Sequence, residues 1–166
     1  MIIRSAAQPD AGDIAALLVA NSADQGGELY GDWSVDVIRR WMADGALILL
    51  STEGSALLGV LFATEKEQAS APPVLAMLEA WPGKPDAYVY GPVCVSAAAR
   101  GRGVFEALYR ELTMRLPGRE GILFIKRTNT RSLRAHARLN MTPVSSFMLD
   151  GDEFIVLSTE KPIAVR

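Results

Sequence analysis

The chain has 166 residues, 49% of them hydrophobic and 22% charged, the balance of a folded domain with its own core and not of a disordered segment. Its 17 Lys and Arg stand against 19 Asp and Glu, so a formal net charge of −2 supplies no basic excess for a nucleic-acid partner. One cysteine, Cys94, and one histidine, His136, exclude an internal disulfide and fall short of the four ligands of a structural zinc site. No apolar run reaches the roughly 20 residues of a spanning helix. Met1-Ile2-Ile3-Arg4-Ser5 lacks the basic-then-apolar pattern of a signal peptide. The expectation is a soluble, cytoplasmic single domain over residues 1–166, with no membrane or nucleic-acid partner and no metal.

In chain order, Ile2-Ile3-Arg4 reads as a first strand, closed by Pro9 and Asp10. Asp10 is placed to cap a helix carrying Ile14, Leu17 and Leu18 at helical spacing. Asn21 to Gly31 is polar, contains Gly26-Gly27 and reads as a loop. A second helix, Ser34 to Met42, starts at a Ser cap and sets Val37, Ile38 and Trp41 on one face. Ala46 to Ser51 and Ala56 to Ala63 form a hairpin about Glu53-Gly54-Ser55. Thr64 to Asp86 is a long excursion broken by Pro72, Pro73, Pro82 and Pro85, with one helical stretch in Val74 to Trp81.

Ala87 to Val95 is rich in the β-branched and aromatic residues that suit a pleat, and Gly91-Pro92 marks a distortion within it. The turn Arg100-Gly101-Arg102-Gly103 leads to a helix, Val104 to Arg115, stopped by Pro117-Gly118. Gly121 to Lys126 is a strand, Arg131 to Leu139 a helix, and Val144 to Leu149 with Phe154 to Ser158 a closing hairpin. Hairpins and βα steps occur together, so the fold class is α/β or α+β with a mixed sheet.

The segment from Tyr88 to Arg115 carries the strongest chemical signal. Glycines at a strand-to-helix turn let a ligand approach the backbone, and the helix start offers unpaired N–H groups and the positive dipole end. That combination suits phosphate, and Arg100 and Arg102 add donors. No Gly-Lys-Ser/Thr follows, and the three-glycine dinucleotide fingerprint is missing, so the turn fits neither of those loops.

These residues resemble the GNAT superfamily of N-acetyltransferases. Val93-Cys94-Val95, then Arg100-Gly101-Arg102-Gly103-Val104, is similar to its acyl-CoA motif, Gln/Arg-x-x-Gly-x-Gly/Ala after an apolar strand end. Asn129, Ser132 and His136 are similar to its second motif, Asn-x-x-Ala/Ser with Tyr seven residues after the Asn. The element order agrees over nearly the whole chain. The resemblance implies a splayed central sheet and acetyl-CoA as co-substrate. It implies that the backbone of Val93, Cys94 and Val95 pairs with the pantetheine arm, and that Arg100, Gly101, Arg102, Gly103, Val104 and Phe105 wrap the pyrophosphate. Asn129 and Ser132 would complete the cofactor contacts. His136 stands where the family has the Tyr that protonates the departing thiolate.

Two positions depart from the pattern. Phe105 replaces the preferred Gly or Ala and is alternatively the first residue of a helical core face with Leu108 and Leu112. His136 replaces Tyr; its side chain serves as a general acid when protonated, or as a structural histidine packed with Leu133 and Ala137. No motif marks a base. Glu28, Tyr30, Asp32 and Trp33 of the Glu28–Trp33 loop, with Tyr88 and Tyr90 on the long strand, are candidates at the amine side, where acids and aromatics suit a cation. Glu28, Tyr30, Trp33 and Tyr90 are the expected substrate contacts.

The expected activity is transfer of an acetyl group from acetyl-CoA to a primary amine, borne by a small molecule or a peptide, by direct attack. The alternative is a CoA-binding sensor without transfer activity. The last strands and the proline-rich excursion are the two candidate surfaces for a homodimer.

Overall fold

A computed structural model describes residues 1–22 and 31–160. Its seven strands form one mixed sheet in the order β1-β2-β3-β4-β5-β7-β6, the fold class expected. They are β1 (Ile2–Ser5), β2 (Leu47–Glu53), β3 (Ala56–Glu65), β4 (Tyr88–Val95), β5 (Gly121–Lys126), β6 (Thr142–Leu149) and β7 (Asp152–Ser158). The helices are α1 (Ala11–Ala20), α2 (Val35–Ala43), α3 (Pro72–Ala80), α4 (Val104–Arg115) and α5 (Thr130–Arg138). By internal contacts the chain divides into two compact units: Met1–Thr64 with Gly91–Gly118, and Glu65–Tyr90 with Arg119–Arg166.

In the first unit, β2 pairs antiparallel with β1 and with β3. Alternation along these strands sends Ile48, Leu50, Val60 and Phe62 to one face, where they meet Ile14 and Leu18 of α1 and Ile38 of α2. Each of those fully buried aliphatic side chains contributes about 1.5–3 kcal/mol. Trp33, Trp41 and Phe62 close this core, Trp41 edge-on to both others and Trp33 tilted on Phe62, with ring centroids 5.1–5.5 Å apart. Helix α4 packs against β1 and β2 and buries Val104, Leu108 and Leu112. Val104, not Phe105, therefore begins the core face; Phe105 is half-buried beside it.

Ser34 caps α2 as expected, its Oγ accepting from Val37 N at 3.3 Å. Asp10 does not cap α1 through its side chain. Its carboxylate accepts from Ala7 N (2.8 Å) and pairs with both terminal nitrogens of Arg4 (2.8 Å each). The guanidinium fork and the backbone donor compete successfully for the oxygens, and Asp10 fastens the turn before the helix instead of the helix itself.

In the second unit, α3 packs on β5 and β6, burying Met77 with Ala87, Val89, Ile122 and Val156. Pro72 and Pro73 open this helix instead of interrupting it, because the first helical positions need no N–H donor. The closing hairpin forms, with Phe147 stacked on its register partner Phe154 at 5.2 Å, but β7 and not β6 pairs with β5.

Beneath these strands lies Glu120, 3% exposed. Its carboxylate accepts from Trp81 Nε1 (3.0 Å), Lys84 N (2.8 Å) and Ser158 Oγ (2.6 Å). Burial alone would raise its pKa. The hydrogen bonds from Ser158, Trp81 and the Lys84 backbone outweigh that and hold it below the usual carboxylate range.

Candidate active site

In the first unit, β4 delivers Val93, Cys94 and Val95 toward the turn before α4. Cys94 is buried against α1, its Sγ 3.9 Å from Leu17 O, so alternation turns Val93 and Val95, both half-buried, to the other side. Cys94 is a core residue and no nucleophile is built around it.

Gly101 and Gly103 both have φ of +77°, the left-handed region that disfavours a side chain. A Cβ added at either would meet no protein atom within 4 Å. The conformation, not crowding by the protein, calls for glycine here, and the space beside the turn admits another molecule. Gly103 is the N-cap of α4 and brings no side chain to its first N–H groups. Arg100 Nη2 donates to Asn21 Oδ1 at 3.1 Å, and Arg102 Nη2 to Glu53 Oε2 at 2.7 Å. Both arginines are exposed, and surface pairs of this kind are worth only about 0–1 kcal/mol.

Among the expected amine contacts, Glu28 and Tyr30 lie outside the described residues. Asp32 is exposed and Trp33 is half-buried in the aromatic cluster with Trp41 and Phe62.

In the second unit the structure brings Tyr90, Asn129, Ser132 and His136 together. Registered pairing of β4 with β5 covers Tyr88 with Gly121 and Val89 with Ile122, and Tyr90 follows. Gly91, next along, has φ of +109° and precedes Pro92 in a cis peptide. The Tyr88 ring lies across Gly121, where an added Cβ would stand 2.7 Å from the phenol oxygen, and the Arg119 guanidinium sits 5.7 Å from the ring centre. Asn129 caps α5, its Oδ1 accepting from Ser132 N at 3.2 Å.

His136 is 2% and Tyr90 4% exposed. The two rings meet edge-on at 5.5 Å. His136 Nδ1 is 2.7 Å from Ser132 O and 3.3 Å from Ser132 Oγ, and Nε2 is 3.1 Å from Tyr90 Oη. A carbonyl oxygen only accepts, so Nδ1 carries the proton. Burial lowers the His136 pKa from 6.5 to about 4, against a smaller upward pull from the Ser132 carbonyl. The ring is neutral at pH 7, and Nε2 is then an acceptor. The Tyr90 partnership is a contact that sequence reading missed, because 46 residues separate the two. His136 is more fully buried than a semi-buried structural histidine and is hydrogen-bonded at both ring nitrogens.

No family model matches the chain, and no curated protein matches it in sequence. Solved structures do match in fold. An acetyltransferase of the GNAT family from Streptococcus pneumoniae superposes with a TM-score of 0.63 at 15% identity, over 95% of this chain and 97% of that one. The protein yncA of Salmonella typhimurium, solved with its cofactor acetyl-CoA, gives 0.67 at 18% identity, over 100% and 98%. A ribosomal-protein-alanine N-acetyltransferase from Brucella melitensis gives 0.67 at 17% identity, over 95% and 98%. The fold of this chain is that of the GNAT acetyltransferases.

Proposed function

We propose that this chain, with its GNAT fold, is an N-acetyltransferase of that superfamily that moves the acetyl group of acetyl-CoA to a primary amine by direct attack. The observation that carries the reading is the turn before α4: two left-handed glycines, open space beside each, and a helix start with no capping side chain, reached from an apolar strand end through the short 3-10 turn Ala97–Ala99. A diphosphate is the ligand such a turn suits. The yncA likeness supports acetyl-CoA as its source.

On this reading Arg100 to Phe105 hold the pyrophosphate and the backbone of Val93 to Val95 pairs with the pantetheine amides, as an added strand does. Asn129, whose Oδ1 caps α5, is a further candidate for a cofactor contact through Nδ2. Backbone N–H groups near Cys94 and Val95 polarise the thioester carbonyl. The amine nitrogen forms the new C–N bond, the C–S bond breaks, the nitrogen loses one proton and the sulfur gains one. With the His136 proton on Nδ1, water is the source of the proton that sulfur takes up.

The test is incubation with acetyl-CoA and a panel of primary amines, including peptides with a free N-terminus, following CoA thiol and acetylated product by mass. Amine-dependent thiol release with a matching acetylated amine is expected. Acetyl-CoA binding without transfer to any amine would contradict the activity.

A further inference from the structure

Between Glu120 and Asp150 the chain has no acidic residue, yet it carries Lys126, Arg127, Arg131, Arg134 and Arg138. The start of β7 answers the first two: Asp152 pairs with Lys126 at 3.5 Å and Glu153 with Arg127 at 2.8 Å. Arg131, Arg134 and Arg138 are exposed and pair with no carboxylate among the described residues. Their spacing of three and four residues sets them along one side of α5, about 10 Å from first to last. Buried His136 marks the opposite side.

For the helix by itself this placement is unfavourable. Like charges three and four residues apart repel, and Arg131, in the first turn, stands at the positive end of the helix dipole. Helix α4 shows the usual remedy, Glu111 paired with Arg115 one turn on at 2.9 Å. Helix α5 has no acid to do the same. Its outer side therefore presents three guanidinium groups whose charge is unanswered among the described residues.

We propose that the outer side of α5 is a docking surface for an acidic segment of a protein partner, whose carboxylates pair with Arg131, Arg134 and Arg138. A guanidinium meets a carboxylate through two parallel N–H donors, which suits Arg better than Lys to such a surface. A short acidic segment is favoured over a long polyanion by the charge of the rest of the molecule. The chain has a net charge of −2 with these three arginines and −5 without them. A nucleic acid is further disfavoured because residues 127–146 contain no Phe, Tyr or Trp on which a base would stack. This surface goes beyond the acetyl-transfer reading and does not depend on it.

The test uses the full chain with fluorescein-labelled deca-glutamate, read by anisotropy at low and at physiological salt, and decauridylate in parallel. Saturable binding of deca-glutamate is expected, weaker at the higher salt because exposed pairs are screened. Arg131→Ala, Arg134→Ala and Arg138→Ala should each lower affinity about fivefold. Arg134→Glu should abolish binding and also raise the urea midpoint, because its carboxylate would lie three residues from Arg131 and four from Arg138. An arginine kept for the helix's own stability would shift that midpoint the other way. No binding of deca-glutamate, tighter binding of decauridylate, or a lowered urea midpoint in Arg134→Glu would overturn the assignment.

Discussion

Gly59 of β3 lets Val104 of α4 rest directly on the strand. A Cβ added at Gly59 would stand 2.8 Å from Val104 Cγ1 and 3.1 Å from Cys94 O. Strands β3 and β4 and the first turn of α4 thus meet at one missing side chain. Gly59→Ala is expected to push α4 outward, costing about 1–3 kcal/mol. Because Val104 follows Gly103, the same variant should weaken acetyl-CoA binding although Gly59 touches no ligand. Urea unfolding and calorimetry on one preparation measure both effects. A destabilised variant with unchanged affinity would show that the turn does not depend on this seat.

Glu120 holds three donors at once, and its removal leaves Trp81 Nε1, Ser158 Oγ and Lys84 N without that acceptor. Glu120→Leu is expected to cost about 3–5 kcal/mol and Glu120→Gln about 1–3, since the amide keeps one acceptor oxygen. Comparison of their urea midpoints checks the order. Equal losses would mean that shape, and not hydrogen bonding, is what the site requires.

Burial of neutral His136 links stability to pH. The folded pKa, about 4, lies below the ordinary 6.5, so between those values the unfolded chain binds the extra proton. Stability is full above about 6.5 and falls as pH drops toward 4, by about 2 kcal/mol at pH 5. His136→Gln should flatten unfolding free energy between pH 6.5 and 5. Below the ordinary carboxylate value of 4.5 a further loss sets in as Glu65 and Glu120 are protonated. Glu65 is held low chiefly by its hydrogen bonds from Arg119, Glu120 by the donors around it. A wild-type profile as flat as the variant's would contradict the buried neutral ring.

Elements bounded by local chemistry were legible in the sequence. Helix α4 spans Val104–Arg115 as expected, because Gly103 fixes its start and Pro117 its end. β5 is likewise Gly121–Lys126 as expected. Relations between distant residues were not. Nothing local places β7 beside β5, and Trp81 and Glu120 are 39 residues apart. Asp10 had the right type for a cap, yet the Arg4 fork took its oxygens. The glycine turn was readable because it is contiguous. The polarity of the Tyr90–His136 contact was not, since it depends on which atom of Ser132 the ring reaches.

The central claim, that the turn before α4 holds the diphosphate of acetyl-CoA, is tested most directly by calorimetric titration. Wild type and Gly103→Glu would each be titrated with acetyl-CoA, with ATP and NAD as controls. The account predicts saturable one-to-one binding of acetyl-CoA alone. It also predicts at least about a tenfold loss in Gly103→Glu, which sets a carboxylate and a strained positive φ at the turn proposed to hold the phosphates. Absence of acetyl-CoA binding by the wild type, or equal affinity in a folded Gly103→Glu protein, would contradict it.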